Sequence, residues 1–202
     1  DSNSTSARYT IRLPDGELHE FDASGYLSSV KDRYGNALTL FYSHLITDAR
    51  TGLKHTRLIT VRGPLNHEVQ FHYDSNARLD TINDCGGTDV NPNGVCDVSG
   101  WRFIKYTHDA NDDLTDVTSP IVNTDCGGTT NIPCFSNGKK TSYTYSHDPS
   151  KSQTDPVNHN LQGITDAAGN LAGGTTPFVK ISYYGGDPLG PKFDRVHTVE
   201  FL

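Results

Sequence analysis

One phrase recurs along this chain and restricts what it can fold into: Leu, two residues, Val or Ile, then a Gly-containing stretch closing on an aromatic segment that ends in Tyr. It opens at Leu27/Val30, Leu58/Val61, Leu79/Ile82, Leu114/Val117 and Leu161/Ile164, and closes at Tyr42, Tyr73, Tyr106, Tyr145 and Tyr183. From Leu to Tyr the distance is 15 residues in the first two copies and 27, 31 and 22 in the next three. Fixed ends with variable middles are what paired strands joined by loops produce. Doubling a flexible loop costs only about 0.6 kcal/mol in closure entropy, whereas slipping a strand by one residue sends every side chain to the wrong face. Repetition of this kind predicts a repeat architecture.

Finer correspondences support the repeat. Leu27-x-x-Val30-x-Asp32-x-x-Gly35-Asn36 returns as Leu161-x-x-Ile164-x-Asp166-x-x-Gly169-Asn170, and Asp84-Cys-Gly-Gly-Thr88 returns as Asp125-Cys-Gly-Gly-Thr129. A His stands two residues past the closing Tyr in three copies, at His44, His108 and His147, which reads as turn chemistry shared by phase. A sixth copy opens at Phe193/Val196, so residues 185–202 are expected to form a partial repeat and the chain to be a section of a longer array.

The predicted fold is all-β, a single segment of repeated antiparallel hairpins over residues 1–202, with 1–8 as a linker or disordered. Hydrophobic residues make up 34%, and even with the 19 glycines the share stays under the usual roughly 45–50%, which predicts a thin core. Ten Tyr, 19 Gly and 10 Pro, with no Met and one Trp, describe short strands and many turns, and almost no helix. Alternation places strands at 9–13, 17–21, 38–42, 69–73, 101–106, 141–145 and 178–184, with Pro14-Asp15-Gly16 turning the first hairpin. Leu and Val three apart fall on opposite faces of a regular strand, so the opening of each copy needs either a bulge or two covered faces. A net charge of −7 argues against nucleic acid or anionic lipid as the main partner, and no apolar run is long enough to span a membrane.

Units of the form Gly-x-Leu-x-x-Val-x-Asp followed by Gly-Asn-x-Leu-Thr-x-x-Tyr resemble the RHS or YD (tyrosine-aspartate) repeats. Residues 27–42, with Asp32, Gly35, Asn36, Leu38 and Thr39, match that pattern best, and Tyr73-Asp74 supplies the eponymous pair. The resemblance implies a β-sheet spiralling into a hollow shell, as in bacterial polymorphic toxins, insecticidal toxin complexes and teneurins. The partners it implies are the remainder of the parent RHS protein and a cargo domain enclosed or presented by the wall. Asp187-Pro-Leu-Gly190 is similar to a cleavage sequence of that family, but the surrounding motif is missing and it reads as a turn.

Four cysteines lie in two inserted loops, Cys85 and Cys96 in one, Cys126 and Cys134 in the other. Local pairing within each loop is the expectation, since closing a loop of that size is worth up to about 3 kcal/mol. A link between the equivalent Cys85 and Cys126 is the alternative. A zinc site is disfavoured because neither pair has Cys-x-x-Cys spacing. Disulfides point to a secreted or cell-surface protein. Asp89, Asn91, Asn93 and Asp97 offer oxygen ligands in the pattern that opens a calcium loop, but the completing Glu is missing, and an ion-free turn-rich loop competes with a Ca²⁺ site. Asn3-Ser-Thr5 is a glycosylation acceptor sequence.

Catalytic signatures are weak. His19, His55, His67, His72, His159 and His197 are scattered without metal-ligand spacing, and Gly-x-Ser-x-Gly is absent. The expectation is a protein that is not an enzyme and needs no cofactor beyond, at most, a calcium ion. Trp101, Tyr26 and Tyr34 lie near turns where a ring can stack on a glycan, which makes an adhesive module for cell-surface glycan or protein the second reading.

Overall fold

The computed structural model describes residues 9–85, 103–120, 135, 137–152, 155, 157–171, 176–185 and 194–202. The expectations for residues 1–8, including Asn3, and for 187–190 lie outside the described residues. The chain divides into two compact units, Asp1–Phe103 and Ile104–Leu202. The first holds β1 (Tyr9–Arg12), β2 (Leu18–Phe21), β3 (Leu27–Lys31), β4 (Ala37–Thr47), β5 (Lys54–Arg62), β6 (Glu68–Tyr73) and β7 (Leu79–Asp84), each antiparallel to the next. The second holds β8 (Phe103–His108, its first residue in the first unit), β9 (Leu114–Thr118), β10 (Lys140–Tyr145), β11 (Leu161–Thr165), β12 (Val179–Tyr183) and β13 (Val196–Phe201), paired the same way. The chain is all-β. Among the described residues the helices are α1 (Ala167–Leu171) and a 3₁₀ turn at Pro64–Asn66.

The Leu-x-x-Val problem resolves as a bulge in all five copies, and a sixth bulge lies in β13, where the register makes Val196 and Val199 the apolar pair and so corrects the expected Phe193/Val196 by three residues. Leu27 lies opposite Phe21 while Ser29 lies opposite Glu20, so Ser28 is an extra residue in β3. Ile59, Asp80, Thr115, Gln162 and His197 are the extra residues of β5, β7, β9, β11 and β13 by the same register shift. An inserted residue converts a spacing of three into an effective spacing of two. Leu58 and Val61 accordingly face Tyr42 and Leu40, two residues apart on β4, and Leu161 and Ile164 face Tyr145 and Tyr143 on β10. Each phrase thus puts both its apolar residues on one face of the sheet, opposite same-face residues of the strand before it.

The closing tyrosines complete four of the five units. The hydroxyl of Tyr42 donates to the carbonyl of Leu27 at 3.0 Å, Tyr73 to Leu58 at 2.8 Å, Tyr145 to Leu114 at 2.9 Å and Tyr183 to Leu161 at 2.9 Å. In β3 the ladder to β4 runs from Lys31 to Ser29 and stops before the bulge, so the Leu27 carbonyl has no strand partner there and the phenol supplies one. Tyr106 departs from this phase. The register of β8 places His108 opposite Leu114 and Tyr106 opposite Val117, so the structural counterpart of Tyr42 is His108. The shared phase expected of His108 with His44 and His147 is therefore corrected by two residues.

The turns after the strands are as regular as the bulges. Asp22, Asp32, Asp74 and Asp109 each open a five-residue turn in which the Asp N–H donates to the carbonyl four residues on, at 2.8–3.0 Å. One carboxylate oxygen accepts the N–H groups two and four residues on: Ser24 and Tyr26, Tyr34 and Asn36, Asn76 and Arg78, Asn111 and Asp113. The fourth position needs positive φ, met by Gly25 (87°) and Gly35 (90°), and by Ala77 (59°) and Asp112 (73°) against their preference. The Asp166–Asn170 segment, expected to repeat the Asp32 turn, forms α1 instead. Gly169 N–H caps on the Asp166 carboxylate at 2.8 Å, and Ala167 and Ala168 favour the helical turn more than Arg33 and Tyr34 do.

Other departures are local. Strand β4 continues past Tyr42 to Thr47, through a second irregularity between Ser43 and Ile46 that hides its alternation from the sequence. The core is thin as expected: among the described residues the buried apolar side chains are Ala77, Cys85 and Val179.

Three measurements follow from this geometry. Tyr73→Phe leaves the Leu58 carbonyl without its donor and lowers unfolding free energy by about 1 kcal/mol in urea denaturation. Burial raises the phenol pKa of Tyr42, Tyr73, Tyr145 and Tyr183 above the ordinary value. Their contribution is complete below about pH 10, where the unfolded phenol begins to ionise, and is lost as pH rises through the folded values, so the thermal midpoint falls steeply on the alkaline side. Replacing all four by Phe flattens that slope. At the tip of the β5–β6 loop, Leu65 is 93% exposed with φ 61°, so Leu65→Gly relieves left-handed strain without losing packing and holds or raises stability, by up to about 1 kcal/mol.

Candidate functional site

The chemistry-bearing side chains sit on the turns at the two ends of the strands. Tyr26 closes the Asp22 turn at one end of β3, and Tyr34 lies in the Asp32 turn at the other, so the two rings form no common platform. Tyr26 packs against Tyr42 at 5.2 Å and His44 at 5.8 Å between ring centroids, and His44 Nδ1 is 2.8 Å from Thr56 Oγ1. That ring is half-covered and belongs to the packing of the hydroxyl ladder. Tyr34 is 74% exposed. The Arg33 guanidinium lies over its ring, 4.6 Å from the centroid, and donates to its hydroxyl. Asp15, Glu17 and Asp32 join Arg33 and Tyr34 around an open hollow of about 250 Å³. The Asn36 amide, with the backbone N–H groups of Asn36, Tyr34 and Gly35, holds the Asp32 carboxyl below its ordinary pKa, so it stays anionic at the mouth of that hollow.

The β4–β5 hairpin reaches past its neighbours and folds over the next turn. Ala49 N–H donates to the Ser75 carbonyl at 2.7 Å, and Arg57 Nε to the Ala77 carbonyl at 3.4 Å. Asp48, 6% exposed, accepts the Arg50 N–H at 2.8 Å, and this bond leads the causes that lower its pKa. Leu45 and Leu53 remain exposed on this hairpin. In the second unit, Thr144, Gln162, Gly163, Lys180 and Thr198 help to line an open hollow of about 320 Å³.

The histidines keep separate company: His19 with Glu17, His67 with Asp84 at 3.2 Å, His72 with Asn83 at 3.2 Å, His159 with Asp113 at 2.8 Å, and His197 against the Tyr184 ring at 4.4 Å. Among the described residues no three His, Cys, Asp or Glu gather as a metal-binding group, and no helix is long and apolar enough to cross a membrane.

Of the cysteines, Cys85 is fully buried at the end of β7. Cys96, Cys126 and Cys134 lie outside the described residues, as do Asp89, Asn91, Asn93, Asp97 and Trp101. Sequence reasoning missed Leu65, whose setting between Pro64 and Asn66 gives the turn but not its exposure, and the Asp113–His159 pair, whose members are 46 residues apart.

No protein-family model matches the chain, and no curated protein matches it. Among solved structures it is similar to the crystal structure of TcdB2-TccC3-TEV, at 16% identity and a TM-score of 0.27, covering 91% of this chain and 10% of that one. It is also similar to the crystal structure of TcdB2-TccC3, at 15% identity and a TM-score of 0.26, covering 85% of this chain and 10% of that one. The chain thus spans about a tenth of the length of each.

Proposed function

We propose that this chain is a non-catalytic structural segment of a secreted RHS-repeat protein, a stretch of β-wall that encloses or presents an associated toxin or effector domain. The observation that carries the reading is the repetition of one module: a bulged Leu-x-x-Val or Leu-x-x-Ile strand in five copies, a following strand whose Tyr hydroxyl reaches back to the Leu carbonyl in four of them, and Asp-closed turns at Asp22, Asp32, Asp74 and Asp109. A module made for stacking gives extent and shape, and each copy finds its support in its neighbours. The side chains that recur are spent on backbone hydrogen bonds, which is the work of a scaffold. Local disulfides in the two Cys loops suit an oxidising location, and any Ca²⁺ at Asp89, Asn91, Asn93 and Asp97 acts as a brace.

The test is limited proteolysis of the parent protein with and without this segment. Removal of residues 9–202 exposes the associated domain to protease or releases its toxicity, whereas replacement of Tyr34 by Ala leaves protection intact. Unchanged protection on deletion, or a specific glycan lost with Tyr34→Ala, moves the assignment to an adhesive module. Intact mass with and without reductant, followed by peptide mapping, separates Cys85–Cys96 and Cys126–Cys134 from the cross-linked alternative.

A further inference from the structure

We infer that one face of the first unit's sheet is an interaction surface, and that its occupant is the associated domain, held through an apolar, uncharged surface of its own. The inference rests on the enclosing wall of the proposed function and adds which side of that wall meets the domain.

Cross-strand partners share a face of a sheet, and so do residues two apart along a strand. The register therefore sorts the first unit into two sides. On one, Leu40 faces Val61, Val61 faces Val69 and Phe71 faces Ile82. On the other, Thr39 faces Arg62, Arg62 faces Glu68 and Thr60 faces Gln70. Outside the far end of the β4–β5 hairpin, His19 and Asp84 are the polar residues that the register puts on the apolar side, and both have local partners, Glu17 and His67. Tyr42 and Tyr73 add no free polar atom there, because their hydroxyls are spent on backbone carbonyls. That side presents carbon.

Burial runs against this sorting. Among the described residues of the unit, the polar side holds the buried Ser29, Glu68 and Gln70, whereas no residue of the apolar side is buried, and Ile11 and Leu38 are 49% and 45% exposed. A sheet with one apolar face normally buries it against a second layer. The described helix of this unit is the 3₁₀ turn at Pro64–Asn66, so no second layer of its own covers the face. The polar side carries the ion pairs of Lys31 with Glu20 and of Arg62 with Glu68 and suits water, so the apolar side is the one turned towards a partner. Five of the seven strands are four to six residues long, against the roughly 9–11 that a bilayer-spanning strand needs, which favours a protein over lipid. The open hollow of this unit lies at its turns, beside Asp15 and Tyr34, and not on this face. A pocketless face about 30 Å wide, from seven strands spaced about 4.8 Å apart, fits the broad surface of a domain better than a small ligand.

The experiment is hydroxyl-radical footprinting of the parent protein, intact and with the associated domain deleted, with peptide mass spectrometry as the readout. Leu40 and Phe71 on the apolar side are shielded in the intact protein and lose that shielding when the domain is removed. Phe41, next to Leu40 in sequence but on the polar side, reacts equally in both. In the intact protein a photoreactive side chain at Leu40 cross-links to the domain and one at Thr60 does not, a result that decides the matter even where deleting the domain loosens the wall. Equal reactivity of Leu40 and Phe71 in the two proteins, shielding of Phe41 in their place, or cross-links from Leu40 to lipid or to a second copy in place of the domain overturns the inference. Protease protection that survives deletion of residues 9–202 removes the proposed function itself. Protection lost on that deletion, with the domain cross-linked from Thr60 and not from Leu40, removes this inference alone.

Discussion

A backbone carbonyl stranded beside a β-bulge, and a phenol that reaches back to satisfy it, set the dimensions of this protein. The bulge aligns Leu and Val on one face, but it also breaks the ladder to the next strand and leaves the Leu carbonyl unpaired. Four tyrosine hydroxyls answer four such carbonyls at 2.8–3.0 Å, although the bonded residues stand 15, 15, 31 and 22 positions apart. The contact is therefore indifferent to the intervening length. It closes a tight turn at Asp32 and a long inserted connection between β9 and β10 in the same way.

That indifference explains how the sequence can vary where it does. The variable middles are the connections from a bulged strand to the tyrosine strand after it, and these hold the Cys loops and α1. The opposite connections also vary in length, as between β4 and β5 and between β10 and β11, but the Asp22, Asp74 and Asp109 turns keep one hydrogen-bond pattern, which the Asp32 turn shares. There the acidic side chain acts as part of the backbone, accepting two N–H groups that the turn cannot satisfy by itself. Where Gly is absent at the fourth position, as at Ala77 and Asp112, the pattern still holds, so the carboxylate bonds outweigh the cost of a left-handed non-Gly residue.

Much of this was legible in the sequence, and the limits have physical causes. The spacing of Leu and Tyr announced the module, because a hydrogen bond between fixed partners requires fixed ends. Alternation located the strands, although β4 ran on to Thr47 where a second irregularity masks the period. The choice between a bulge and two covered faces was open because both put Leu and Val three apart, and only the pairing of Leu27 with Phe21 and Ser29 with Glu20 decides it. Tyr106 misled because an aromatic residue at either of two same-face positions gives the same alternation, and the register alone makes His108 the counterpart of Tyr42. The Asp166 segment misled because Asp opens a turn and caps a helix with the same side chain, leaving the two alanines after it to decide. The candidate site was less legible: exposure at Leu65 and Tyr34, and contact between Asp113 and His159, depend on how far neighbouring loops reach.

A sheet with so little buried apolar area cannot rely on a central core, and its stability has to come from neighbour to neighbour. Ala77, Cys85 and Val179 are the buried apolar side chains among the described residues, and most strand residues are only half-covered. Buried polar groups take up part of the load. Glu68 at 3% and Gln70 at 6% exposure lie on β6, with Arg62 of β5 paired to Glu68 and stacked 5.1 Å over the Phe41 ring of β4. The cluster binds three successive strands through one guanidinium. A buried carboxylate is tolerable only with such a partner, so losing the guanidinium would leave the Glu68 charge buried and uncompensated. The tyrosine bonds, the Asp turns and this pair all act over one or two strands, which is how a chain can grow by copying a module without redesigning an interior.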